Sequence, residues 1–262
     1  MPASEQAKED YDKAADAYDG YGEVPSGRLE SELIQLALGD CTGLFVLDLG
    51  GGTGRHARKA LELGATGVDV VDISAGMLNA GQRQAERDNS SGNYKLRFFE
   101  ADVAQPLGHL PLLAEGYDVV MGNWIFSFAG SVATLESMFR NIRQYLKPGG
   151  RFIGVRDADP WSPVLQSGKY GGICRDIKKI PGGVEYVCVL QSTPPVEFVG
   201  RCLETIYSGS KEMYEKFGLQ EVEIVPYTSA PVVQSDPDFW EEFLRRPCLA
   251  VVKAVASTGG IE

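Results

Sequence analysis

Asp48, Gly50, Gly52 and Gly54 stand in the run Val46-Leu47-Asp48-Leu49-Gly50-Gly51-Gly52-Thr53-Gly54-Arg55-His56, and their types and spacing describe a ligand cradle. Glycines let the backbone turn sharply and come close to a bound group, and a helix starting behind them offers free N–H donors. Asp48 is the single acid of an apolar run, residues 45–49, near its carboxyl end, where open α/β sheets place ligand-binding groups. A dinucleotide fingerprint requires a third glycine three residues after the second. Arg55 holds that position, which argues against NAD.

The cradle needs strands on both sides, and the sequence supplies them. Residues 55–63 carry helical spacing, and 67–73, 96–101 and 117–124 read as further strands. Lys147-Pro148-Gly149-Gly150 reads as a helix stop and tight turn into a fifth strand ending at Val155. With an acid ahead of G-x-G-x-G, the chain resembles the class I S-adenosylmethionine-dependent methyltransferases, and the matches run from Val46 to Val155. The resemblance implies a Rossmann-like α/β fold: a seven-stranded, mostly parallel sheet with an antiparallel last strand. It also implies the cofactor, S-adenosyl-L-methionine, and in-line methyl transfer to a nitrogen or oxygen of a small-molecule acceptor.

Site residues follow from the motifs. Asp72-Ile73-Ser74-Ala75-Gly76-Met77-Leu78 resembles the family's D-x-S-x-x-M-L segment, bringing in Ile73 and Met77. Asp72 lies roughly twenty residues past the glycines, where a carboxylate can accept from ribose hydroxyls. Asp102 resembles the acid that accepts from the adenine amino group, and Val103 would give the ring a backbone N–H. Asn123 completes the cofactor set after the fourth strand. By resemblance, Arg28 is the partner for the methionine carboxylate, and Tyr18 or Tyr21 covers the sulfonium, whose charge suits an aromatic face. His56, in the first turn of its helix, reads as a packing or capping residue.

At 262 residues the chain has room for one sizeable α/β domain. It divides into an N-terminal helical cap (1–40), a core (41–160 and 208–256) and an antiparallel flap (161–207). Three strand-like stretches, 173–180, 184–190 and 196–206, are separated by Pro181-Gly182-Gly183 and Thr193-Pro194-Pro195. They predict a β flap after strand five, similar to that of glycine and sarcosine N-methyltransferase-like enzymes. Arg156 and Asp157 beyond the fifth strand, with Tyr207 at the flap exit, are the candidates for handling the acceptor.

Thirty-six acids against 25 bases give a formal charge of −11, which disfavours a nucleic-acid substrate and favours a small molecule. Five cysteines without a C-x-x-C pair suggest neither a disulfide frame nor a zinc site. The acidic start and the lack of a long apolar run point to a cytoplasmic protein with no membrane span. Two other readings stand beside this one: a binding or partner subunit that keeps the cofactor fold without turnover, and a catechol-type enzyme gathering magnesium on Asn123, Asp157 and Asp159.

Overall fold

A computed structural model describes residues 3–87 and 95–259. Among them the strands are β1 (Phe45–Leu49), β2 (Gly67–Asp72), β3 (Leu96–Glu100), β4 (Tyr117–Gly122), β5 (Leu146–Asp157), β6 (Gly172–Ile180), β7 (Gly183–Leu190), β8 (Val196–Leu203), β9 (Leu219–Ile224) and β10 (Leu249–Ala256). The longer helices before the flap are α1 (Ala3–Ala14), α2 (Pro25–Leu38), α3 (Arg55–Glu62), α4 (Ala75–Arg87) and α5 (Val132–Tyr145).

The main sheet has the order β3-β2-β1-β4-β5-β10-β9, and β10 runs antiparallel to both its neighbours. β1 runs parallel to both β2 and β4, and the order in which successive strands are added reverses there, opening a crevice at the strands' carboxyl ends where ligands bind in such folds. β2 is buried along its whole length and the β1 interior on both faces, which is why their sequences read as continuous apolar runs without alternation. Val46, Val68 and Val70 pack on one face with Leu29, Leu33 and Leu38 of α2. Leu47, Leu49 and Val71 pack on the other with Phe139 and Ile142 of α5.

Strands β6, β7 and β8 form a separate antiparallel sheet, the expected flap. Its last strand stops at Leu203, three residues short of the expected 206, because the chain turns into a short helix, Glu204–Tyr207. Lys147-Pro148-Gly149-Gly150 also differs from expectation. α5 passes directly into β5, and the tetrapeptide sits inside that strand as a register shift between the Tyr117↔Leu146 and Val119↔Arg151 pairs.

α1 ties the flap to the core. Asp10 accepts from the Val199 backbone N–H at 3.3 Å, and the Tyr11 ring stacks on Phe198 at 5.6 Å. Two residues after Asp10, Asp12 accepts from Ser74 Oγ at 2.6 Å and from the Gly76 N–H at 2.9 Å. The helix therefore roofs the crevice. Among the described residues no helix is long and apolar enough to cross a membrane.

Candidate functional site

The glycine turn after β1 has left-handed backbone at Gly50, Gly52 and Gly54, with φ of 69°, 55° and 73°. A Cβ on Gly50 would stand 2.3 Å from Ile125 Cγ2, so both torsion and space demand glycine there. Gly51 is equally constrained: its added Cβ would meet the Asp48 carboxyl and Val70 Cγ1 at 2.7 and 2.8 Å. The turn is pinned to β2 by Gly50 N–H to Val71 O at 2.7 Å and Gly52 N–H to Asp72 Oδ2 at 2.8 Å.

Over this turn lies a cavity of about 340 Å3. The structure brings nine of the sequence-predicted residues to its wall: Tyr18, Gly50, Gly52, Asp72, Ile73, Met77, Asp102, Val103 and Asn123. Asp72 also accepts from the Ser74 N–H at 2.8 Å, and burial pushes its carboxyl up to about 6 despite those backbone donors. Asp102 is half-buried and accepts from the Ala104 N–H at 2.8 Å. Both polar atoms of the Asn123 side chain are buried without a protein partner.

Three of the predicted residues lie elsewhere. Asp48 is fully buried beneath Gly51, neither oxygen has a hydrogen-bond partner, and burial with the nearby Asp72 charge pushes it up to about 7. Tyr21 is buried and does not line this cavity, its hydroxyl donating to Glu30 at 3.0 Å. Arg28 is exposed and paired with Glu23 at 2.9 Å, because α2 turns Leu29, Glu30 and Leu33 inward and leaves position 28 on its outer face.

Among the described residues, Arg55 is the one Arg or Lys lining the cavity. It donates to the Gly27 carbonyl at 2.6 Å and stands 5.7 Å from the Tyr21 ring centre. Beside it is a buried polar cluster that sequence reading missed. Glu30 accepts from Trp124 Nε1 at 2.7 Å, Tyr21 Oη at 3.0 Å and His56 Nε2 at 3.1 Å. Burial works to raise the Glu30 carboxyl, but the His56 and Trp124 hydrogen bonds and the Arg55 charge hold it below its ordinary value. Burial lowers His56 in turn, which favours the neutral ring; its Nε2–H then donates the hydrogen bond to the Glu30 carboxylate, and Nδ1 is a buried acceptor without a protein partner.

A second cavity, about 60 Å3, shares Tyr11, Tyr18 and Trp124 with the first and is lined by Tyr21 and Asp157. Asp157 is buried and accepts from Ser127 Oγ at 2.6 Å and Tyr186 Oη at 2.8 Å. Arg156 and Tyr207, expected beside Asp157, line neither cavity. Successive side chains of a strand point to opposite faces, and Arg156 is turned to the Asp157 and Ile206 carbonyls, each at 2.8 Å. Tyr207 packs edge-on against Trp161 at 5.6 Å. Nor does the structure gather the magnesium trio: Asn123 lines the larger cavity, Asp157 the smaller, and Asp159 is ion-paired with Arg246.

Comparison with known proteins bears on this geometry. Residues 46–150 match the family model described as "Methyltransferase domain". The ubiquinone/menaquinone biosynthesis C-methyltransferase UbiE of Ectopseudomonas mendocina is 33% identical over 174 residues, 63% of this chain and 64% of that protein. UbiE of Coxiella burnetii is 31% identical over 170 residues with the same coverage. The chain thus spans about 64% of the length of these relatives. Among solved structures, the CcbJ methyltransferase from Streptomyces caelestis superposes with a TM-score of 0.65 at 18% identity, over 98% of this chain and all of that one. The [4+2]-cyclase SpnF superposes at 0.61 and 16% identity, over 99% and 98%, so the fold alone does not fix the chemistry. Residues 46–150 are thus similar to a methyltransferase domain, and the chain shares the α/β fold of these solved structures.

Proposed function

We propose that the chain is an S-adenosylmethionine-dependent methyltransferase acting on a small-molecule acceptor. The observation that carries the reading is the larger cavity, where a glycine turn, the Asp72 carboxylate and Asp102 converge at the point where the sheet order reverses. The residues fit the cofactor. A side chain at Gly50 would collide with Ile125, and the buried Asn123 amide lacks the partners that a polar ligand provides.

When bound, S-adenosylmethionine supplies a methyl group on a positively charged sulfur that is already a good leaving group. The protein's work is then alignment and exclusion of water. Asp72 takes the ribose hydroxyls, and Asp102 with the Val103 N–H takes the adenine edge. Arg55, rather than Arg28, takes the terminal carboxylate, because Arg55 is the cation at the cavity wall. Tyr18 and Trp124, shared by the two cavities, flank the passage from donor to acceptor. Five buried, unpaired cysteines support a reducing, cytoplasmic setting.

Incubation with methyl-tritiated S-adenosylmethionine and a panel of small amines, phenols and carboxylates tests the reading. Label transferred to one class with stoichiometric release of S-adenosylhomocysteine supports it. Tight cofactor binding with no transfer to any class favours the non-catalytic alternative.

A further inference from the structure

The smaller cavity has a wall chemistry of its own. Among the described residues Asp157 is its one lining group of the Asp, Glu, Lys, Arg and His types, and the remainder is aromatic or otherwise weakly polar, with Tyr11, Tyr18, Trp124, Tyr186 and Phe198 contributing rings. Ser127 and Tyr186 each give Asp157 one neutral hydrogen bond, on different oxygens, and the Cys202 thiol lies beside it. Each oxygen keeps acceptor capacity. Among the described residues no Lys, Arg or His stands within ion-pairing distance of this carboxylate, although Asp157 is 5% exposed. A buried carboxylate held only by neutral donors is costly, and a cation that reaches it offsets the cost. Aromatic faces attract the same kind of group. An anionic acceptor meets the reverse: no cation to pair with, and a carboxylate opposing it.

From this juxtaposition we infer that the smaller cavity receives the methyl acceptor, and that the acceptor's head group is a basic nitrogen entering as its ammonium form. The inference rests on the cofactor reading of the neighbouring cavity. The cavity's size, about 60 Å3, suits a head group, with the rest of the molecule outside it. Asp157 pairs with the ammonium and takes the proton that the nitrogen must shed. The freed lone pair then forms the new C–N bond as the methyl carbon's bond to sulfur breaks, its electron pair remaining on sulfur. The aromatic walls keep water from the passage at Tyr18 and Trp124. The curated relatives are named for carbon methylation, so a nitrogen acceptor would distinguish this chain from them.

A charge-matched series of benzylamine, benzyl alcohol and benzoate tests the inference. Each is titrated by calorimetry into the full chain saturated with S-adenosylhomocysteine, after that saturation has itself been measured. Benzylamine is expected to bind at least tenfold more tightly than benzyl alcohol, and benzoate to show no heat of binding. In Asp157→Asn the amine preference should fall to within twofold while benzyl alcohol is unchanged. The wild-type order needs no variant, so a poorly folding Asp157→Asn protein does not block the test. Equal binding of amine and alcohol, preference for benzoate, or no amine binding to cofactor-loaded protein overturns the inference. Failure to take S-adenosylhomocysteine at all overturns the cofactor reading, and the acceptor inference falls with it.

Discussion

Glu30 and His56 meet at 3.1 Å in the wall of the larger cavity, joining the N-terminal cap to the helix that follows the glycine turn. Both are held below their ordinary values, the carboxyl by His56 and Trp124 against burial, the imidazole by burial. The unfolded chain therefore takes up more protons than the native one, and their contribution to stability is lost as pH falls. Replacing the ring by His56→Phe removes a hydrogen bond to a buried charge and should cost about 1–3 kcal/mol at pH 7.5. Relative to this variant, the wild-type advantage should be full above pH 6.5 and shrink below it. Denaturant titrations of both proteins from pH 4.5 to 8 check this, and a pH-independent difference contradicts it.

Asp48 carries the opposite sign. Its folded value near 7, against an ordinary 3.8, means that the native state holds the proton, so its contribution is present below pH 4 and lost as pH rises through 7. Asp48→Asn keeps the shape and removes the charge. The variant should match wild type at pH 4 and exceed it progressively toward pH 8, by about 4 kcal/mol at most. Thermal melts of the ligand-free proteins at pH 4, 6 and 8 measure the trend, and a variant less stable at pH 8 refutes the assignment.

Arg55 and Arg28 separate cleanly in a binding experiment. Arg55→Ala should weaken S-adenosylhomocysteine at least tenfold, while Arg28→Ala stays within twofold. Methylthioadenosine, which lacks the carboxylate, should bind Arg55→Ala and wild type alike. Equal loss for both ligands would place Arg55 in the fold rather than at the carboxylate.

Gly50→Ala introduces a Cβ 2.3 Å from Ile125 Cγ2 at a residue with φ of 69°. It should lose measurable cofactor binding and cost about 1 kcal/mol or more of stability, from left-handed strain alone. Near-native affinity in this variant would show that the turn is not the cradle.

The parts legible in the sequence were those in which one residue does its work where it stands in a strand. The glycine turn, Asp72 and Asp102 follow directly on strands whose apolar runs are plain, so their meeting at the crevice could be read from order alone. The flap was legible from its turn residues, with its last boundary three residues off because Glu204 starts a helix. Helix faces were harder. Whether Arg28 or Glu30 looks inward depends on how α2 is rotated against β1, which Leu29 and Leu33 decide through packing. Arg55 stands where a dinucleotide fingerprint needs glycine, and that same position carries it to the cavity wall. The Glu30, His56 and Trp124 cluster unites three segments far apart in the chain, and no local pattern announces it.

The most direct test of the central claim is a calorimetric titration of S-adenosylhomocysteine into wild type and Asp72→Ala at pH 8, with NAD as the parallel ligand. The account predicts tight binding to wild type, loss of at least a hundredfold in Asp72→Ala with unchanged circular dichroism, and no heat from NAD. Binding of NAD alone, or equal S-adenosylhomocysteine affinity in both proteins, contradicts it.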